Sequence, residues 1–396
     1  MQKPFRTFLI GLVTALCLTV FCSTSSFATA MPTTGCDSWT VTSSSNPQNI
    51  TADRGIAALS PNDIWMVGQS NTSGTVGYST MAQHWDGKSW SIVSTPNPTL
   101  LQSLYGVAGS ASNDVWAVGA QSADYYAQTL TEHWNGQVWS VVPSPNVSST
   151  GHSFLKAVTA VSSNDAWAVG YAQAGFRSPS KPLIEHWDGT SWSIIPNPDT
   201  SSSSLNGVTA ISANDVWAVG SYGVNAFIDA PLIEHWDGTN WSVVNSPTLQ
   251  GINTKLLAVS ASSSKNMWAV GFGFDDLSGN YSTLMMHWDG TSWSIAQNPV
   301  IPQTSAQLLG VTTLASNNVW AVGAQMNSTD PTAPLNTLTM HWDGKSWNIV
   351  TSPNLSTDGN ILQGVTHASG SEQVWTAGDT FIGYEELDSL IMHTCP

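Results

Sequence analysis

The sequence predicts an all-β chain folded as a seven-bladed β-propeller of four-stranded antiparallel blades. Three observations predict it. A VWAVG-like segment recurs seven times, placing Trp65, Trp116, Trp167, Trp217, Trp268, Trp320 and Trp375 at intervals of 50 to 55 residues. HWDG or HWNG follows most of these, with His84, His133, His186, His235, His287 and His341 in register. A third column, within S-W-S-I/V-like segments, carries Trp90, Trp139, Trp192, Trp241, Trp293 and Trp347. With Trp39 added, all 20 tryptophans fall in three columns. No segment carries a helical period.

The chain opens with Lys3 and Arg6, an apolar run from Phe8 to Phe21, and then Ala28-Thr29-Ala30. A basic start, a short apolar core and a small-x-small site read as a signal peptide over residues 1–30. The run is short for a membrane span. Residues 31–396 then form one propeller domain, expected to be secreted and monomeric. Cys17 and Cys22 leave with the signal. Losing Lys3 and Arg6 takes the net charge from −16 to −18. Such an acidic surface disfavours nucleic acid and anionic membranes, whose binding rests on basic groups. Only 9% of residues are charged, so the surface is mostly Ser, Thr, Asn, Gln and Gly.

Each repeat reads as four strands, a to d. In the third, strand a is Leu155 to Ala160, and Ser163-Asn164-Asp165 is the turn. Strand b is Ala166 to Tyr171, followed by a variable loop from Ala172 to Pro182. Strand c is Leu183 to Trp187. Asp188-Gly189 makes a tight turn, since glycine accepts the positive φ required. Strand d is Ser191 to Ile195, and Pro196 and Pro198 end its pairing, as suits an exposed edge.

The seventh repeat lacks strand d at the C-terminus and finds it in Ser38-Trp39-Thr40-Val41. In this register Cys395 matches Asp343 and Cys36 matches Gly344. A Cys36–Cys395 disulfide would replace the c–d turn and close the ring. Such a bond implies an oxidising location, in agreement with the signal peptide.

The D/N-VWAVG and HWDGTSW repeats resemble those of secreted bacterial β-propeller repeat proteins, and distantly the tectonin-type propellers. The resemblance covers the chain from about Cys36 onward. It implies the propeller and, through tectonins, recognition of sugars or surface polysaccharide. The shared motif residues are structural and carry no ligand site with them.

The a–b and c–d turns are short and alike between repeats, whereas the b–c loops vary. Function concentrates in variable loops on a rigid scaffold, which selects the face bearing the b–c and d–a connections. Seven of eight tyrosines lie in or beside b–c connections: Tyr78, Tyr125, Tyr126, Tyr171, Tyr222, Tyr281 and Tyr384. Phe176, Phe227, Phe272, Phe274 and Phe381 join them. Acidic residues gather there too, among them Asp124, Asp229, Asp275, Asp276, Glu385, Glu386 and Asp388. Flat rings beside acids and amides suit a neutral sugar, which offers an apolar face and hydroxyls. The same rings could instead anchor the loops to the scaffold.

The candidate ligand-binding set is Tyr78, Tyr125, Tyr126, Tyr171, Tyr222, Phe227, Phe274, Asp275, Asp276, Tyr281, Tyr384 and Glu385. No motif selects a catalytic carboxylate pair. Asp275 to Asn280 offers oxygen ligands for Ca²⁺ but lacks the spacing of a known calcium loop, so no cofactor is assigned. The in-register histidines sit one per blade, too far apart to share a metal, and each is expected to pair within its own blade. His152 and His367 fall outside that column, near strand a. The expected role is a non-catalytic binding protein for glycan at or outside the cell surface. The alternatives are a protein-interaction or structural propeller, and then a polysaccharide-cleaving enzyme.

Overall fold

The computed structural model describes residues 38–44, 50–71, 77–123, 125–175, 177–198, 202–225, 228–299, 301, 305–326, 333–383 and 386–395, without the side chains of residues 50 and 386. Cys36, Phe227, Tyr384 and Glu385 therefore lie outside the described residues, as do Asp124 and Phe176.

The described chain is all β, and its strands group into seven blades in sequence order. Blade 3 shows the unit. Its strands are His152–Ser162, Asp165–Gln173, Lys181–Trp187 and Trp192–Ile194, each antiparallel to the next. The inner two are longer than the repeat pattern indicates, because pairing continues into residues of mixed polarity at the loop ends.

Blade 7 is built from both ends of the chain, as expected. Its strand d is Thr40–Thr42, paired antiparallel with Glu386–His393 in the register Thr40↔His393. Blade 6 has the equivalent pair Asn348↔His341, so Trp39 takes the place of Trp347.

The three tryptophan columns interlock between blades. Trp167 of strand b lies 5.0 Å from Trp236 and 5.5 Å from Trp241, both in the next blade. The same contact closes the ring, where Trp375 meets Trp85 at 5.0 Å and Trp90 at 5.9 Å. Strand-b and strand-d tryptophans are buried. Burial of large rings at every blade junction, beside Val, Leu, Ile and Met, is an apolar contribution to closure.

The strand-c histidines pair within their own blades. His84, His133, His186 and His235 bond Asp63, Asp114, Asp165 and Asp215 at 2.7–2.9 Å. His287 and His341 use Asn266 and Asn318 at 2.8 and 3.0 Å. The partners are the polar residues of the a–b turns.

Strand a carries a β-bulge in every blade, between Leu155 and Ala157 in blade 3 and at the matching place in the other six. The bulge explains the glycine of VWAVG. A Cβ on Gly170 would stand 1.8 Å from the Phe154 carbonyl oxygen, and one on Gly119 would stand 1.9 Å from that of Ser103. No side chain fits there.

Candidate functional site

The extra residue of each bulge points into the central channel. In blade order these are Arg54, Tyr105, Lys156, Asn206, Leu257, Leu309 and Gln363, lining a cavity of about 250 Å³ with the two residues that follow each. Those following residues are Gly or Ala, then Val or Ile. A sevenfold scaffold thus presents one variable side chain per blade. Arg54, Tyr105 and Lys156 form one polar arc, with Leu257 and Leu309 on the far side.

Aromatic rings connect this arc to the b–c loops. Tyr125, 63% exposed, packs edge-on against Tyr126 at 5.4 Å, and each ring lies 5.7 Å from His152. His152 stacks on Phe154 at 6.3 Å, and Phe154 stacks on Tyr171 at 5.0 Å. The Lys156 ammonium then lies 4.1 Å from the Tyr105 ring centroid, 5.4 Å from Phe154 and 5.8 Å from Tyr171. The result is a continuous track from the rim at blades 2 and 3 to the channel.

The backbone fixes the track. The b–c loop of blade 2 is tied to strand a of blade 3, where the Ser153 N–H donates to the Ala127 carbonyl at 2.9 Å and the Ala127 N–H to His152 Nδ1 at 3.2 Å. Similar ties hold Tyr78 to Leu100 and Gln102, and Tyr281 to Ser305. Burial, and next the neighbouring Tyr105, push the Tyr171 hydroxyl above its ordinary value.

A second aromatic group stands on blade 5. Tyr281 lies 5.1 Å from Phe272 and 4.8 Å from Phe274. Tyr281 also borders a cleft of about 510 Å³ toward blade 6, with Asn280, Gln307, Met326 and Leu335 in its lining.

Of the expected set, Tyr125, Tyr126 and Tyr171 come together in the track, and Phe274, Asp275 and Tyr281 in the blade 5 group. Asp276 is exposed on the neighbouring turn. Tyr78 is exposed at blade 1. Tyr222 packs on the core cluster around Trp167 and Leu205, so it anchors its strand as the scaffold reading expects. The Asp275 carboxylate accepts the Leu277 N–H at 3.0 Å and the Ser278 hydroxyl at 2.9 Å, which holds it below the usual carboxylate range. Its oxygens serve the turn. The described residues hold no group of three or more His, Cys, Asp or Glu placed to bind a metal.

Sequence reasoning missed Arg54, Tyr105, His152, Phe154 and Lys156. A signal was present: Tyr105 and Phe154 are the aromatics left outside the b–c set, and His152 is one of two histidines outside its column.

Buried acids mark two further places. Asp53 occupies the strand-a position that is Leu in the other six blades, and its N–H donates to Asp379 Oδ1 at 2.8 Å across the blade 7–blade 1 seam. Burial first, and Asp379 second, hold Asp53 well above the usual range, and burial lifts Asp379 to about 6. Glu132, Glu185 and Glu234 are fully buried in strand c of blades 2, 3 and 4, each pushed up by burial to about 8.

No family model and no curated protein matches the chain. Solved structures of similar fold include a YCF48 bound to a D1 peptide, with TM-score 0.54 and 12% identity over 90% of this chain and 97% of the other. A polysaccharide lyase of family PL25, an ulvan lyase bound to -[GlcA(1-4)Rha3S]-, is similar with TM-score 0.53 and 10% identity, over 89% and 94%. The six-bladed fucose-recognising lectin of Aleuria aurantia aligns at TM-score 0.47 and 14% identity, over 77% and 97%. At these identities the first two show the propeller fold.

Proposed function

We propose that the chain is a secreted, non-catalytic binding propeller that takes carbohydrate on the face bearing the b–c and d–a connections. The observation that carries this reading is the aromatic run from Tyr125 and Tyr126 through His152 and Phe154 to Tyr171, which Lys156 joins to Tyr105. The exposed Tyr125 ring and the half-buried rings behind it offer sugar units apolar surface. Asn206 and Gln363 in the channel ring add polar atoms that can orient hydroxyls. Propellers of this fold hold peptides or polysaccharides, so the fold leaves the choice to these residues.

Secretion rests on the signal-like N-terminus and on the two cysteines beyond it. The match of Cys395 to Asp343 and of Cys36 to Gly344 in the repeat alignment, with which the register Thr40↔His393 agrees, supports a Cys36–Cys395 disulfide. The likeness to secreted bacterial repeat propellers agrees.

Protein binding is the second reading. An exposed aliphatic residue occurs at matching places in the outer strand of every blade: Val41, Ile92, Val141, Ile194, Val243, Ile295 and Ile349. Such a rim suits a partner that grips the edge of the disc.

A pull-down of residues 31–396 on insoluble polysaccharides, with the supernatant assayed for released reducing sugar, separates the readings. Depletion without release is the expected result. Release of sugar would make the protein an enzyme, and no depletion on any polymer would favour a protein partner.

A further inference from the structure

We infer that the polar arc of the channel, Arg54, Tyr105 and Lys156, is a binding site for an oxyanion. The anion belongs to an acidic sugar unit, a uronate carboxylate or a sulfate ester, whose neighbouring units lie on the aromatic track. The carrier of the anion rests on the glycan reading, but the anion site stands on separate observations.

The chain carries 26 acidic and only 10 basic residues, yet two of those bases face one channel. Both are half-buried, and neither has an ion-pair partner within 4.0 Å among the described residues. The buried Arg54 Nε has no hydrogen-bond partner there. Among the described residues, the Lys156 ammonium lies over the faces of Tyr105, Phe154 and Tyr171 and feels the Arg54 charge. Holding two like charges beside one cavity costs stability in the free protein, and an entering anion would offset that cost.

The nearest acids do not fill this role. Asp53 and Asp379 lie buried in the seam behind Arg54 and share its field, but burial first and the Asp379 charge second hold a proton on Asp53, so the pair offsets at most one of the two cations. The mouth is left with positive charge. The acidic exterior does not bar an anionic ligand, because physiological salt screens charges beyond ~8 Å.

The ring offers its own control. Leu309 occupies the same bulge position on the far arc, so Leu309→Gln alters the channel without touching the cations.

Calorimetric titration of residues 31–396 with an oligogalacturonate, a neutral cello-oligosaccharide of equal length, and sodium sulfate tests the site. The acidic chain should bind at least tenfold more tightly than the neutral one. Lys156→Met and Arg54→Gln should each abolish that preference, bringing the affinity for the acidic chain down to that for the neutral one, and Leu309→Gln should keep it. Equal affinity for the two oligosaccharides, or a preference that survives both variants, would overturn the proposal and leave the glycan reading intact. Sulfate binding that Lys156→Met abolishes, with neither sugar bound, would uphold the anion site and reject the glycan reading.

Discussion

Lys156 holds its ammonium 4.1 Å above the ring of Tyr105, across the junction of blades 3 and 2. Contacts of this kind contribute about 0.5–2 kcal/mol. Against this, burial first and the Arg54 charge second lower the Lys156 pKa, so the folded state resists the charged form. The penalty is present below the folded pKa and fades as pH rises above it. Lys156→Met should therefore leave the thermal midpoint at pH 7 unchanged or raise it. A fall of more than about 4 °C, on the order of 3 kcal/mol in a domain of this size, would mean that Lys156 serves the fold.

The buried acids set the dependence of stability on pH. Glu132, Glu185 and Glu234 keep their protons up to about 8 when folded, against an ordinary value of 4.5. Between those values the folded state binds more protons than the unfolded state, so stability falls as pH rises. The seam pair Asp53–Asp379 acts in the same direction. The midpoint should be higher at pH 5 than at pH 8 by several degrees. Blade 1 has Gln83 where these glutamates stand, and blades 5 to 7 have Met286, Met340 and Met392. A triple Glu→Gln variant should flatten most of that slope, as measured by scanning calorimetry at both pH values.

Histidine pairing tolerates amides but not deletion. Asp165→Ala strands the half-buried His186 and should cost about 1–3 kcal/mol. Asp165→Asn should be close to neutral, because Asn266 and Asn318 do the same work in blades 5 and 6. Urea unfolding of the two variants separates a lost hydrogen bond from a lost charge.

Intact-mass analysis with and without reductant should show residues 31–396 lighter by the two hydrogens lost in a Cys36–Cys395 bond. The loop it spans is nearly the whole domain, for which chain entropy gives at most about 5–6 kcal/mol. Reduction should lower the midpoint markedly. Free thiols at both positions would remove the disulfide from the account and leave strand closure in place.

The fold was legible because its periodic residues are also its packing residues. Trp167, His186 and Trp192 recur since every junction needs the same rings, and Gly170 recurs since the bulge leaves no room for a Cβ. Even the borrowed strand at Trp39 follows from counting within one repeat. The site was only half legible. Tyr125 and Tyr126 announce themselves in a variable loop, but Lys156 and Arg54 occupy a strand position whose neighbours hardly vary. Nothing in the linear pattern tells that this residue is a bulge, and only the bulge turns it toward the channel. Tyr222 shows the converse, an aromatic beside a b–c loop that packs inward.

In the proposed function the track, rather than the aromatic group of blade 5, binds glycan. The most direct test is the affinity of Tyr126→Ala, Phe154→Ala and Tyr281→Ala for whichever polysaccharide retains the wild-type protein. Loss of one stacking ring on the order of 1–2 kcal/mol corresponds to about 5- to 30-fold. The track account predicts such a loss for Tyr126→Ala and Phe154→Ala, with Tyr281→Ala unchanged. Wild-type affinity in both track variants, with the loss confined to Tyr281→Ala, would contradict it.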